Sequence, residues 1–133
     1  MSKETILILN KERGDSSHLK TFLEKEKYIV LPVNTIDRLL TNFQEFEVSG
    51  VIVDLNADHL YLSEIIKKIR ERFPKLYVMM MADGKIGEKE HQKVIETGVY
   101  DFFVKPMPFE KILFHLKSGL KQRKKYLQKR AES

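Results

Sequence analysis

Asp54 closes a run of β-branched apolar residues, GVIVDL at 50–55. Such a run reads as a strand buried on both faces. An ionised carboxylate at its end needs a partner or water, because uncompensated desolvation is expensive. The acid is therefore expected at the mouth of a sheet and not in a packed core. Two other apolar runs end in polar groups: ILIL at 6–9 is followed by Asn10, Lys11 and Glu12, and FFV at 102–104 by Lys105 and Pro106. A carboxylate facing ammonium groups forms ion pairs, whereas oxygen ligation of a hard cation wants further acids. Each residue also has a plainer reading. Asp54 could simply turn the chain at a strand end, and Lys105 could be an extended residue before proline.

Other candidate chemistry is thin. Asp58 and His59 follow Asp54 closely and are of metal-ligating type, but nothing nearby completes a set. His18, His91 and His115 have no partners at zinc or catalytic spacing, and the chain has no cysteine. They read as ordinary surface or helix residues. Met79, Met80 and Met81 read as strand filler. No nucleophile elbow, phosphate loop or dinucleotide fingerprint occurs, so an independent enzyme is not expected.

Positioning these groups requires a fold, and 133 residues allow one domain with a real core. With no cysteine, no long apolar run and no leader-like start, disulfide scaffold, membrane span and secretory signal are all disfavoured. A cytoplasmic protein is the expectation. The net charge of +5 is local: residues 117–133 hold seven basic residues and one acid, which leaves residues 1–116 at −1. That run reads as a solvated helix end whose cations complement the C-terminal dipole.

Short apolar runs predict strands at 6–9, 28–31, 51–53, 77–81 and 102–104, and helical spacing fills the intervals. Leu19, Phe22 and Leu23 mark a first helix behind Ser16 or Ser17. Ile36, Leu39, Leu40 and Phe43 mark a second behind Asn34 or Thr35. Leu62, Ile65, Ile66 and Ile69 mark a third, closed by Pro74. A fourth, near 88–97 and stopped by Gly98, has so little apolar material that a short or mobile helix is expected. Phe109, Ile112, Leu113, Leu116 and Leu120 mark a fifth, with Pro108 at its first turn. Alternation of this kind predicts one doubly wound α/β domain with five parallel strands. Ligands of such sheets bind beyond the carboxyl ends of the strands, where Asp54 and Asn10 to Glu12 would lie.

In this order and spacing, ILILNKE at 6–12, GVIVDL at 50–55 and GVYDFFVKP at 98–106 resemble the receiver domains of two-component response regulators. The similarity covers about residues 4–120. It implies a flavodoxin-like (βα)5 fold with strand order 2-1-3-4-5, a receiver-like domain at 1–120 and a basic helical extension or linker at 121–133. It also implies that Asp54 occupies the position phosphorylated by a histidine kinase, and that Lys105, ahead of a cis Pro106, contacts the phosphoryl oxygens.

Two departures accompany the resemblance. The family's paired acids for Mg²⁺ fall on Asn10 and Lys11, with only Glu12 matching, so a metal site around Asn10, Lys11, Glu12, Asp54 and Asn56 is expected to be weak or absent. Counting Asp54 against Lys11 and Lys105, the pocket is +1 before any dication arrives. The family's hydroxyl at the end of strand four falls on Met81, whose thioether accepts hydrogen bonds only weakly. The aromatic that answers that hydroxyl falls on Phe102. The expectation is therefore a degenerate receiver. Lys11 would pair with Asp54 in place of the metal, no cofactor would be needed beyond any Mg²⁺ the altered site still binds, and chemistry would be limited to phosphoacceptance at Asp54.

Such a protein would work by docking to a histidine kinase or another signalling protein, with a homodimer through 88–120 as a further option. Conventional phosphorylation of Asp54 is the alternative. Polyanion binding by KSGLKQRKKYLQKR at 117–130 is a reading of another class, and would weaken steeply with salt.

Overall fold

The structure is a computed structural model and describes residues 3–10, 16–55, 62–82, 87–96 and 98–132. Strands β1 (Thr5–Leu9), β2 (Ile29–Val33), β3 (Gly50–Leu55), β4 (Tyr77–Ala82) and β5 (Asp101–Val104) alternate with helices α1 (Ser16–Lys25), α2 (Ile36–Glu45), α3 (Leu62–Arg72), α4 (Glu88–Glu96) and α5 (Phe109–Glu132). The strands form one parallel sheet in the order β2-β1-β3-β4-β5. This is the doubly wound architecture that the alternation predicts, in the flavodoxin-like strand order that the resemblance implies.

Successive strand residues point to opposite faces, and the core divides accordingly. Leu7, Leu9, Val51, Val53, Val78 and Met80 pack under Leu39 of α2, Ile66 and Ile69 of α3 and Val94 of α4. Ile6, Ile8, Ile52, Tyr77, Met79 and Met81 pack under Leu19 and Leu23 of α1 and Ile112, Leu116 and Leu120 of α5. Since burying one such side chain contributes roughly 1.5–3 kcal/mol, each helix is held mainly by its apolar stripe. Val94 is the one buried apolar side chain described on α4, in keeping with its sparse pattern. Thr35 caps α2, its hydroxyl accepting from the Arg38 N–H at 3.1 Å, and Gly98 follows α4 at φ +92°.

Strand ends differ from expectation by one or two residues. β2 continues past Leu31 through Pro32 to Val33. Proline is tolerated there because β2 is an edge strand, and an edge strand can spare one N–H. α5 runs unbroken to Glu132, so the basic extension is helical and its first turns pack back on the domain. The Lys124 ammonium lies 3.4 Å from Glu4 Oε1, and that of Lys75 lies 4.6 Å from the Tyr126 ring centre.

Tyr77 ties β4, β5 and α5 together. Its ring is fully buried, and its hydroxyl donates to Asp101 Oδ2 and lies 3.3 Å from the His115 carbonyl. His115, expected to be an ordinary helix residue, has Nδ1 3.5 Å from Asp101 Oδ1 and its ring against Phe103. Burial first, then the hydrogen bond and charge of Asp101, push the Tyr77 phenol far above its ordinary value. The sign follows. Below about pH 10 the phenol is protonated whether the chain is folded or not, and its contribution is intact. Above that, only the unfolded chain releases the proton, and stability falls by up to about 1.4 kcal/mol per pH unit. Urea midpoints from about pH 9 to pH 11 should show that slope, and Tyr77→Phe should flatten it while costing about 1–2 kcal/mol at neutral pH.

Candidate functional site

The side-chain alternation that builds the core continues past the carboxyl ends of the strands. Ile8 and Ile52 face α1 and α5, and Asn10 and Asp54, two residues on, share that face. Met81 pairs in register with Asp54. The Asn10 N–H donates to the Val33 carbonyl at 3.0 Å and the Lys105 N–H to the Ala82 carbonyl at 2.7 Å. These bonds carry the ladders one residue beyond β1 and β5, and so fix where both side chains start.

The three polar groups meet. Lys105 Nζ lies 2.6 Å from Asp54 Oδ1, and Asn10 Nδ2 lies 3.4 Å from Asp54 Oδ2. The first is a short charge-assisted bond and the second a long, weak one. Asp54 is only 5 % exposed, whereas the Lys105 side chain is 27 % exposed. The carboxylate thus lies at the bottom of the crevice with an ammonium closing over it. This resolves the cost of placing an acid at the end of a buried strand: its charge is neutralised by a neighbour that still touches water.

Other sequence candidates fall elsewhere. Met81 is buried beside Asp54 and packs with the α1–α5 core. Phe102 does not join the crevice. It faces the opposite side of β5, packs with the α2–α3–α4 core and holds its ring 4.5 Å from that of His91. Pro106 follows Lys105 through a cis peptide bond and is exposed. Lys11, Glu12, Asn56, Asp58 and His59 lie outside the described residues. The Asn10 amide was expected only as a lost metal ligand, and its donation to Asp54 was not. The signal for it is that an amide, unlike the acid it replaces, can donate.

A family profile described as the response regulator receiver domain matches residues 6–117. The chain belongs to that family. Among curated relatives, this receiver domain is 23 % identical over 118 residues to the heme response regulator HssR of Staphylococcus saprophyticus, across 89 % of this chain and 52 % of that protein. It is 24 % identical over 117 residues to the transcriptional regulatory protein ResD of Bacillus subtilis, across 88 % and 48 %. The chain thus spans about half the length of these two relatives. Among solved structures, a CheY-like receiver domain protein from Methanospirillum hungatei superposes with TM-score 0.84 at 20 % identity, over 94 % of this chain and 99 % of that one. One from Clostridium thermocellum gives 0.79 at 21 %, over 93 % and 98 %. At such identities these likenesses establish the fold. Asp54 stands at the receiver's phosphorylation position.

Receivers use Mg²⁺, and three of the positions expected around it here, Lys11, Glu12 and Asn56, lie outside the described residues. Mg²⁺ takes a near-octahedral set of oxygens, with carboxylates supplying charge. Among the described residues one carboxylate faces the crevice, both of its oxygens are approached by nitrogen donors, and no cluster of three metal-ligating side chains occurs. No helix of the described residues is long and apolar enough to cross a membrane.

Proposed function

We propose that this domain is a degenerate receiver, one that transmits signals by docking to a protein partner without requiring phosphate on Asp54. The observation that carries the reading is the Lys105–Asp54–Asn10 contact, in which protein nitrogen atoms occupy the carboxylate that a metal would share. Lys11, next to Asn10 in the sequence, adds a second positive charge after β1 to that of Lys105 after β5. Met81 supplies a thioether where a hydroxyl would follow an incoming phosphoryl group, so even a modified Asp54 would lack the pull that moves β4.

The docking face is α4–β5–α5. Ile95, Tyr100, Val104 and Phe114 are exposed there, Phe114 to 66 %. Aromatic side chains exposed in this way favour protein contact. The partner is a histidine kinase, another signalling protein or a second copy of the chain, the setting is cytoplasmic, and residues 121–133 serve as a helical linker. No cofactor is required and no enzyme activity of its own is assigned.

Conventional phosphoacceptance is favoured by one observation: the Lys105 ammonium that neutralises Asp54 is placed to follow phosphoryl oxygens bound to it. The readings part on acetyl-phosphate labelling with Mg²⁺. The unaltered domain should gain no phosphoryl mass, and Lys11→Asp with Met81→Thr should restore labelling that Asp54→Asn abolishes. Labelling of the unaltered domain at Asp54 would favour the conventional reading.

A further inference from the structure

At the opposite end of the sheet, between the C-terminal ends of α2 and α3 and the basic half of α5, lies a cleft of about 370 Å³. That is toward the lower end of the volumes, roughly 300–1,000 Å³, typical of small-molecule sites. Its floor is aromatic. Phe43 and Phe73 stack with ring centres 4.0 Å apart and planes 21° from parallel, and Phe46 stands beside them 47 % exposed.

Its rim is cationic, with Arg72, Lys75 and Arg123 against the single acid Glu47. The Arg72 guanidinium lies 5.9 Å from the Phe73 ring centre. The ends of α2 and α3 would ordinarily offer carbonyls to such cations. Beyond α3, Arg70 takes the carbonyls of Phe73, Pro74 and Leu76, and at the end of α2 the Phe46 N–H takes that of Asn42. Arg123 Nε is buried with no hydrogen-bond partner among the described residues.

We propose that this cleft binds a small planar aromatic anion. The ring lies on Phe46 beside the Phe43–Phe73 pair, the anionic group pairs with the Arg123 guanidinium, and Arg72 and Lys75 supply the surrounding positive field. Both halves of the ligand are needed. An anion alone on exposed cations is screened within about 8 Å at physiological salt, and a ring alone leaves the cationic rim without a counter-charge. A joined ligand also gains ring stacking and cation–π attraction. A nucleoside monophosphate and an aryl carboxylate both have this chemistry. The site is remote from Asp54 and independent of its state.

The test is an amide NMR titration of the full 133-residue chain with AMP and, separately, with 1-naphthoate, using adenosine and inorganic phosphate as controls. Saturable shifts at 46–48, 73–76 and 123 are expected from at least one of the two joined ligands, and which one responds identifies the source. Each control should bind at least about tenfold more weakly. Arg123→Lys, which keeps the charge and loses the Nε–H, should weaken binding by about tenfold as well. The inference is overturned by an absence of saturable shifts from both ligands, by controls that bind equally well, or by Arg123→Lys binding as tightly as the unaltered chain.

Discussion

Lys105→Met is expected to destabilise the fold by about 2–3 kcal/mol, while Asp54→Asn costs about 1 kcal/mol or less. The asymmetry follows from burial. Removing one member of a buried ion pair costs about 3–5 kcal/mol because an uncompensated charge stays behind. Asp54 is 5 % exposed and cannot turn to water, and the remaining Asn10 contact is long. The partial exposure of Lys105 lets some water reach the acid, which brings the figure below the full range. In the converse variant the Lys105 ammonium simply extends into solvent on its flexible stem. Lys105→Met combined with Asp54→Asn should recover at least half of the loss, since no charge is then stranded. Urea unfolding at fixed pH and salt reads all three variants. Equal, small effects from both single changes would mean that Asp54 is solvated by water and not held by Lys105.

Gly119→Ala is expected to cost a net 2 kcal/mol or so, against the usual trend for an α-helix. Alanine ordinarily gains about 1 kcal/mol over glycine in a helix interior. At this position an added Cβ would fall 1.9 Å from Tyr77 Cε2 and 2.2 Å from Cδ2. The ring has no room to retreat, being fully buried and tethered through its hydroxyl to Asp101. Overpacking of this kind costs about 1–3 kcal/mol, occasionally more, and here the helix must lift from the sheet. With Tyr77→Leu in the background, Gly119→Ala should cost much less, giving a coupling of about 1–2 kcal/mol in a double-mutant cycle. Additive losses would show that the two residues do not press on each other.

The strands, the helices and the mouth position of Asp54 were legible because each rests on a local pattern, whereas the strand order was implied only by the family resemblance. Period-two burial and period-3.6 stripes survive whatever the tertiary context, and Thr35, Gly98 and Pro108 punctuate them. What was not legible depends on pairs distant in sequence. Nothing local to Tyr77 announces that Asp101 and His115 will converge on its hydroxyl, or that Gly119 is small to admit its ring. Pro32 read as a strand end because its tolerance depends on β2 being an edge, a property of the whole sheet. In the crevice, Asp54 and Lys105 were recognisable by type and place, whereas Asn10 was valued only for the acid it is not. The expected Lys11–Asp54 pair involves a residue outside those described. The contacts on the acid that the structure does describe come from Lys105 and Asn10.

The most direct test is to add Mg²⁺ and then beryllofluoride to the isotope-labelled domain while following the amides of Asn10, Asp54, Met81 and Lys105. If nitrogen donors hold the carboxylate in place of a metal, these signals stay put and no saturable binding is seen. Saturable shifts at those four positions, with beryllofluoride bound to Asp54 in the presence of Mg²⁺, would contradict the reading and leave a receiver that takes up phosphate in the ordinary way.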